Sequence, residues 1–182
     1  MDSIFSSEII ALASRVVEEN RAVGRTIALA ESCTGGLVAA ALTEIPGSSD
    51  VFSRGFVTYS NDAKREMIGV SGDLIDTFGA VSMAVVWAMA QGALTRAGAD
   101  IAVAISGVAG PGGGSEKKPV GTVVFARALR GQDPEAVVAD RRNFGEQLSR
   151  AEIRTQALLC ALELLLPRPD DSLPPREGED EE

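Results

Sequence analysis

The sequence contains no histidine among its 182 residues. Without an imidazole side chain the protein lacks a Ser-His-Asp or Cys-His catalytic apparatus, a histidine general base and any zinc site with a histidine ligand. Lysine is also scarce, since the chain has only Lys64, Lys117 and Lys118. If the chain is an enzyme that needs a general base, a residue other than histidine must supply it.

Cysteine is nearly absent as well, and Cys33 and Cys160 lie far apart in the sequence. This spacing indicates neither a metal site nor a disulfide framework, and it is typical of a reducing compartment. The first residues lack the basic region of a signal peptide. The charge-free run at residues 77–95 contains glycine, serine and glutamine, which favours a buried helix over a membrane span. We therefore expect a cytoplasmic protein with no membrane partner.

Basic residues are outnumbered, with 17 Lys and Arg against 26 Asp and Glu, a net charge of −9. Such a composition disfavours a nucleic-acid partner, because neutralised phosphates supply most of that affinity. The acidic residues concentrate after residue 166, where four of the eight prolines also lie. This pattern predicts a folded domain at residues 1–166 and an acidic, proline-rich, disordered tail at residues 167–182.

Hydrophobic periodicity and turn residues predict an alternation of helices and strands. Helices are predicted at residues 4–23, 37–42, 82–96 and 149–166, with another, which carries Lys64, capped by Asn61 or Asp62. Strands are predicted at residues 26–30, 51–60, 101–105, 120–129 and 136–144, the last two as an antiparallel hairpin. The order predicts an α/β fold, a three-layer α/β/α sandwich with a mixed β-sheet.

The first candidate site is the turn between the first strand and the second helix. Ser32 lies at this junction, and free amide groups at Thr34, Gly35 and Gly36 are expected to point at a developing negative charge, as in an oxyanion hole. In the alternative interpretation Ser32 or Thr34 only caps the helix. Cys33 is a rival nucleophile, or else a small buried apolar residue.

A serine nucleophile needs a base, and without histidine the candidate is a lysine kept neutral by desolvation or by nearby positive charge. Lys64 follows a strand end and opens a helix, whereas Lys117 and Lys118 lie in a flexible loop, so Lys64 is preferred. The alternative for Lys64 is a solvated surface lysine. Tyr59 could relay a proton or stack on a ring, or it is a half-buried strand aromatic.

The second candidate site is the glycine-rich loop that follows a buried strand. Glycines let successive amide groups approach an anion closely, so a phosphate-bearing ligand is predicted, with a mobile surface loop as the alternative. Arg150 and Arg154 lie four positions apart on the closing helix, either as a phosphate clamp or as a surface pair. The loop residues proposed to bind substrate are Ser106, Gly107, Ala109, Gly110 and Gly112.

Three segments in this order carry a resemblance to a known family: AESCTGG at residues 30–36, YSNDAK at residues 59–64, and SGVAGPGGG at residues 106–114 followed by KPVGTV. Residues 5–166 resemble the C-terminal domain of the competence/damage-inducible CinA proteins, whose stand-alone members are nicotinamide-nucleotide amidohydrolases. The resemblance implies hydrolysis of the carboxamide of nicotinamide mononucleotide to nicotinic acid mononucleotide and ammonia. It also implies a homo-oligomer that needs no metal or organic cofactor.

The resemblance assigns a role to each candidate. Ser32 attacks the amide carbon, Lys64 takes and returns the proton, and Tyr59 assists. The amide groups near Thr34 and Gly35 hold the oxyanion, and the glycine-rich loop with an arginine such as Arg150 holds the phosphate. Two other functions stay open at this point, namely a non-catalytic competence or DNA-damage domain that binds or regulates, and an amidase for a different amide.

Overall fold

The computed structural model of the chain describes residues 3–175, and a five-stranded sheet forms its centre. The elements are α1 (Ser7–Ala22), β1 (Ile27–Glu31), α2 (Leu37–Thr43), β2 (Phe52–Val57), α3 (Asn61–Ile68), α4 (Gly72–Phe78), α5 (Met83–Ala97), β3 (Ile101–Gly107), β4 (Thr122–Leu129), β5 (Val138–Asn143) and α6 (Arg150–Leu165).

The sheet has the order β2-β1-β3-β4-β5 and mixes both pairing directions. β1 pairs in parallel with β2 and with β3, whereas β3–β4 and β4–β5 are antiparallel. The predicted mixed sheet and the predicted hairpin near the end of the domain are confirmed. Since β1, β2 and β3 run in the same direction, their carboxyl ends meet at one edge, where ligands of open α/β sheets usually bind.

Alternate residues of the central strands pack into two separate cores. Ile27 and Leu29 of β1 lie in the core that contains α1, α2 and α6. Ala28 and Ala30 lie in the opposite core, with side chains from α3, α4 and α5. The three-layer sandwich is therefore confirmed, with one helical layer on each face of the sheet.

The helices of the second layer approach one another closely. A Cβ at Gly92, in α5, would overlap the carbonyl oxygen of Ile68, at the end of α3. Only glycine allows this contact, which fixes α3 against α5. Because α3 carries Lys64, the contact also fixes the position of that side chain relative to the sheet.

Some boundaries differ from the predictions. The segment predicted at residues 51–60 is the single strand β2, and the N-cap of α3 is Ser60 rather than Asn61 or Asp62, with its hydroxyl accepting from the Ala63 amide at 3.0 Å. α4 has seven residues and was not predicted, because so short a helix shows little periodicity. Within residues 3–175 no helix has the length and apolar character to cross a membrane.

The start of the predicted tail packs on the domain. The Asp171 carboxylate accepts hydrogen bonds of 2.6 Å from both Arg25 and Arg127, and its side chain is only 3% exposed. Leu173 packs against the core of α1, α2 and α6. Residues 167–175 therefore contact the domain in this structure through Asp171 and Leu173, whereas the disordered tail itself stays a prediction. Residues 176–182 of the predicted tail lie outside the described residues.

Candidate active site

A cleft of about 250 Å³ lies at the carboxyl edge of the parallel strands. The turn after β1, the start of α3, the connection between α4 and α5, the end of β3 and the start of α6 surround it. Its lining residues are Ser32, Cys33, Tyr59, Asn61, Lys64, Ala80, Val81, Ser106, Gly107, Ala109 and Arg150. Sequence segments that are far apart therefore meet at one place, as the resemblance implied.

Ser32 is the first residue after β1. Its amide donates to the carbonyl of Ile105 in β3 at 2.9 Å, which continues the pairing of the two strands by one residue. The residue is 9% exposed, and Oγ lies 3.2 Å from Nζ of Lys64. The hydroxyl is thus held at the bottom of the cleft, next to an amine.

Lys64 is 1% exposed, although lysine is almost never buried without a partner charge. Nζ lies 2.8 Å from the carbonyl oxygen of Thr58 and 3.5 Å from that of Tyr59. Within residues 3–175 no carboxylate pairs with it. Burial lowers the pKa of Lys64 below its ordinary value of 10.5, and the nearby Cys33 raises it by less.

Three oxygen atoms surround Nζ, and the lowered pKa favours the neutral amine as the form that can act as a base. This amine has two N–H bonds for the carbonyl oxygens of Thr58 and Tyr59 and one lone pair for the Ser32 hydroxyl. As the structure stands, Nζ donates to Ser32 Oγ at 3.2 Å, and in the neutral amine the same short distance lets the Ser32 hydroxyl donate to the lone pair instead. The arrangement is that of a nucleophile beside a general base, with the base oriented by a third set of groups.

Cys33 lines the same cleft but is a poor nucleophile. Burial, the largest cause, raises the pKa of its thiol to about 12. The thiolate is the reactive form of cysteine, so at neutral pH Cys33 stays protonated. This difference favours Ser32 over Cys33.

The turn after Ser32 offers fewer free amide groups than expected. The Gly35 amide donates to the Ser32 carbonyl at 3.0 Å, and the Gly36 amide donates to the carboxylate of Glu31 at 2.9 Å. The prediction of free amides at both glycines is therefore wrong. Their φ angles are +60° and +96°, which favour glycine, so the backbone conformation of the turn is the reason for glycine at both positions. In the described part of the chain the Thr34 amide donates to no oxygen acceptor of the protein. Thr34 is buried and is not among the lining residues of the cleft, so its role as oxyanion donor stays a prediction.

Glu31 supports this site, although its role is not predicted from the sequence. It is 1% exposed, and its carboxylate accepts from the amides of Gly36, Val38 and Ala39 at the start of α2. The sequence signal that could identify Glu31 is a carboxylate shortly before a predicted helix. A carboxylate there accepts from the first amides of the helix, which have no partner within the helix. Glu31 fixes α2, and with it the turn that carries Ser32.

The glycine-rich loop reaches the cleft only at its start. Ser106 donates its hydroxyl to the Ala80 carbonyl at 2.8 Å, and Gly107 and Ala109 line the cleft. Gly112 lies at a different cavity, with the outer part of the loop. Gly110 is not among the lining residues, but its carbonyl accepts from Arg150 at 2.7 Å. The loop therefore does not surround the cleft with all the residues predicted to bind substrate.

The two arginines of α6 point to different places. Arg150 lines the cleft and donates to the Gly110 carbonyl and, at 3.0 Å, to the Tyr59 hydroxyl. Arg154 lies behind the turn and donates to the carbonyl oxygens of Cys33 and Thr34. A clamp that uses both arginines is therefore wrong, and only Arg150 faces the cleft. Within residues 3–175 no group of three metal-ligating side chains occurs.

Comparisons with known proteins identify relatives along most of the chain. The family model of the CinA C-terminal domain matches residues 9–168. The nicotinamide-nucleotide amidohydrolase PncC of Escherichia coli strain K12 is 51% identical over 160 residues, which are 87% of this chain and 93% of that protein. A CinA-like protein of Akkermansia muciniphila is 53% identical over 127 residues, which are 68% of this chain. The chain spans about a third (31%) of the length of this longer relative.

Solved structures give the same result. The crystal structure of the competence/damage inducible protein CihA from Agrobacterium tumefaciens matches with a TM-score of 0.86 and 49% identity. The match covers 90% of this chain and 97% of that one. A CinA superfamily protein from Klebsiella pneumoniae matches with a TM-score of 0.80 and 40% identity, over 86% of this chain and 94% of its own.

Proposed function

This chain belongs to the CinA C-terminal domain family, and we propose that it is a nicotinamide-nucleotide amidohydrolase. Its reaction is hydrolysis of the carboxamide of nicotinamide mononucleotide, with nicotinic acid mononucleotide and ammonia as products. The observation that carries the proposal is the buried amine of Lys64 at 3.2 Å from the Ser32 hydroxyl. Relatives of similar length are named nicotinamide-nucleotide amidohydrolases, which supports the substrate.

In the acylation half of the reaction, Ser32 Oγ attacks the carboxamide carbon while its proton moves to Nζ of Lys64. The carbonyl oxygen becomes an oxyanion, which the Thr34 amide stabilises. The C–N bond then breaks. Lys64 donates its proton to the leaving nitrogen, so that ammonia departs and the nicotinoyl group stays as an ester on Ser32.

In the deacylation half, water occupies the position that ammonia has left. Lys64 is neutral again and takes a proton from the water, whose oxygen attacks the ester carbon. The second tetrahedral intermediate uses the same Thr34 amide. When it breaks down, Lys64 returns the proton to Ser32 Oγ and nicotinic acid mononucleotide leaves. Every proton transfer therefore uses the amine of Lys64.

Arg150 is proposed to bind the nucleotide phosphate at the rim of the cleft, where Tyr59 assists by orienting its guanidinium. We expect Arg150→Gln to raise KM for nicotinamide mononucleotide about 10- to 100-fold, the scale of a lost hydrogen bond to a charged group. KM for nicotinamide riboside, which lacks the phosphate, should change little. The exposed Arg15, paired with Glu19, provides the control Arg15→Gln. Equal effects of Arg150→Gln on both substrates would remove the phosphate assignment.

The proposal is tested by identifying the products of nicotinamide mononucleotide by proton NMR. Amide hydrolysis gives nicotinic acid mononucleotide and ammonia, whereas cleavage of the glycosidic bond gives nicotinamide. Nicotinamide, nicotinamide riboside and asparagine serve as competing amides. Hydrolysis of one of these in preference to the nucleotide would change the substrate but keep the chemistry, and no hydrolysis of any amide would favour a binding or regulatory domain. A homo-oligomer and a cytoplasmic location stay predictions.

A further inference from the structure

Arg154 contacts the turn at residues 32–36, which carries the nucleophile, but it does not line the cleft. It lies in the second turn of α6, where its Nε is 3.1 Å from the Cys33 carbonyl oxygen and a terminal nitrogen is 2.9 Å from that of Thr34. No carboxylate within residues 3–175 pairs with this cation. Its charge is therefore directed at two peptide carbonyls.

The Cys33 carbonyl and the Thr34 amide belong to one peptide group. In a trans peptide the C=O and the N–H point in opposite directions, so a cation bound to the oxygen fixes where the N–H points. The cation also draws electron density from the amide, which strengthens the N–H as a donor, because linked hydrogen bonds polarise one another. Arg154 can thus act on the oxyanion without touching it.

The turn needs this support because its next residues are two glycines in the left-handed region, Gly35 and Gly36. Glu31 holds the Gly36 amide and the start of α2. Within residues 3–175, Arg154 is the one side chain that donates to the carbonyl oxygen of the peptide that joins Cys33 to Thr34. The carboxylate and the guanidinium therefore fix the two ends of the turn, and Arg154 binds the end that carries the Thr34 amide.

We propose that Arg154 is a positioning residue that orients and polarises the Thr34 amide for the oxyanion. The inference rests on the proposed serine mechanism, which makes this amide the oxyanion donor. A loss of Arg154 should then lower kcat and leave KM nearly unchanged, because the amide acts on the transition state and not on the bound substrate.

The surroundings of Arg154 allow a chemical rescue experiment. Its side chain also lines a second cavity of about 370 Å³ between α1 and α6, together with Phe5, Ile9 and Leu158. This cavity gives a small cation a route to the position of the missing guanidinium in Arg154→Ala. Added guanidinium, at concentrations below those that unfold the protein, is therefore the probe.

The test compares Arg154→Ala, Arg154→Lys and the control Arg15→Ala in two assays. The first is turnover of nicotinamide mononucleotide. The second is labelling of Ser32 by a fluorophosphonate, in which the Ser32 Oγ–P bond forms, the P–F bond breaks, fluoride leaves and the serine proton moves to Lys64. For Arg154→Ala we expect about 10²-fold losses in kcat and in labelling rate, the scale of a misplaced catalytic group. Guanidinium should restore part of both rates, and Arg154→Lys should lie between.

Three results would overturn the inference: an unchanged kcat and labelling rate, a raised KM with unchanged kcat, or a loss that follows a lowered melting temperature and is not restored by guanidinium. The labelling assay tests the role of Arg154 independently of the identity of the substrate. If the wild type reacts with the fluorophosphonate but does not hydrolyse the nucleotide, the substrate is wrong and labelling of the Arg154 variants still decides their role.

Discussion

Replacing Lys64 with methionine is expected to lower kcat for nicotinamide mononucleotide by about 10²- to 10⁴-fold, the usual contribution of a general base. Methionine fills a similar space in the cleft but accepts no proton from Ser32. The rate is measured as ammonia release at neutral pH, and circular dichroism confirms that the variant is folded. The hydrogen-bond partners of Nζ in the described residues are two backbone carbonyls and the Ser32 hydroxyl, so no side chain hydrogen-bonded to Lys64 can replace it as a base.

Two variants sharpen this result. Lys64→Arg keeps the positive charge but stays protonated at neutral pH, so we expect it to be as inactive as Lys64→Met. Lys118→Met removes a lysine that lies outside the cleft and donates to the Phe78 carbonyl, and it should retain activity. Activity in Lys64→Arg would show that Lys64 acts through its charge, which contradicts a role as base.

The pH dependence follows from the direction of the Lys64 pKa shift. Burial lowers the pKa of Lys64 from 10.5, and only the neutral amine accepts the serine proton. We therefore expect kcat/KM to rise with pH through this lowered pKa and to level off above it. The rise should fall at a lower pH than the ordinary lysine value. A profile that instead falls with rising pH would indicate that the protonated amine is the active form.

The second large effect is on stability. Asp171→Asn removes the carboxylate from between the buried side chains of Arg25 and Arg127, which are 7% and 6% exposed. Breaking a buried ion pair by removing one partner costs about 3–5 kcal/mol, because the other charge stays buried without compensation. We expect this decrease in the free energy of unfolding, measured from urea transitions.

The neighbouring Asp170 is exposed and provides the matched control Asp170→Asn, which should leave the free energy of unfolding nearly unchanged. Burial alone would raise the pKa of Asp171, but hydrogen bonds from Arg127, the Arg168 amide and Arg25 outweigh it and lower this pKa from 3.8 to about 2. The contribution of Asp171 is therefore full above pH 4 and is lost as the pH falls through about 2. Similar transitions for Asp170→Asn and Asp171→Asn at neutral pH would contradict the account.

Sequence patterns predicted the elements whose formation depends on residues close together in the chain. Hydrophobic periodicity placed the central strands, and the N-caps Ser82 and Ser149 both accept from helix amides as expected. The short helix α4 was missed because seven residues contain too little periodicity. The packed position of Asp171 was not predicted because it depends on ion pairs with Arg25 and Arg127, which lie far away in the sequence.

The candidate site divides in the same way. The burial of Lys64 was expected only because a catalytic base must be kept neutral. Its contact with Ser32 could not be derived from sequence spacing, because α3 and the turn after β1 are brought together by the tertiary fold. The roles of Gly35 and Gly36 were misjudged, since their amides have internal acceptors that the motif does not reveal. Arg154 was paired with Arg150 by helical spacing, yet the two side chains diverge to different neighbours.

The central claim is that Ser32 forms the acyl-enzyme in amide hydrolysis of nicotinamide mononucleotide. It is tested most directly by ammonia release from this nucleotide at neutral pH with a chelator present, for the wild type and Ser32→Ala prepared in parallel. We expect the wild type to release one ammonia for each nicotinic acid mononucleotide formed, and Ser32→Ala to lose at least about 10²- to 10⁴-fold in rate. A folded wild type that releases no ammonia, or a Ser32→Ala variant that keeps the wild-type rate, would contradict the claim.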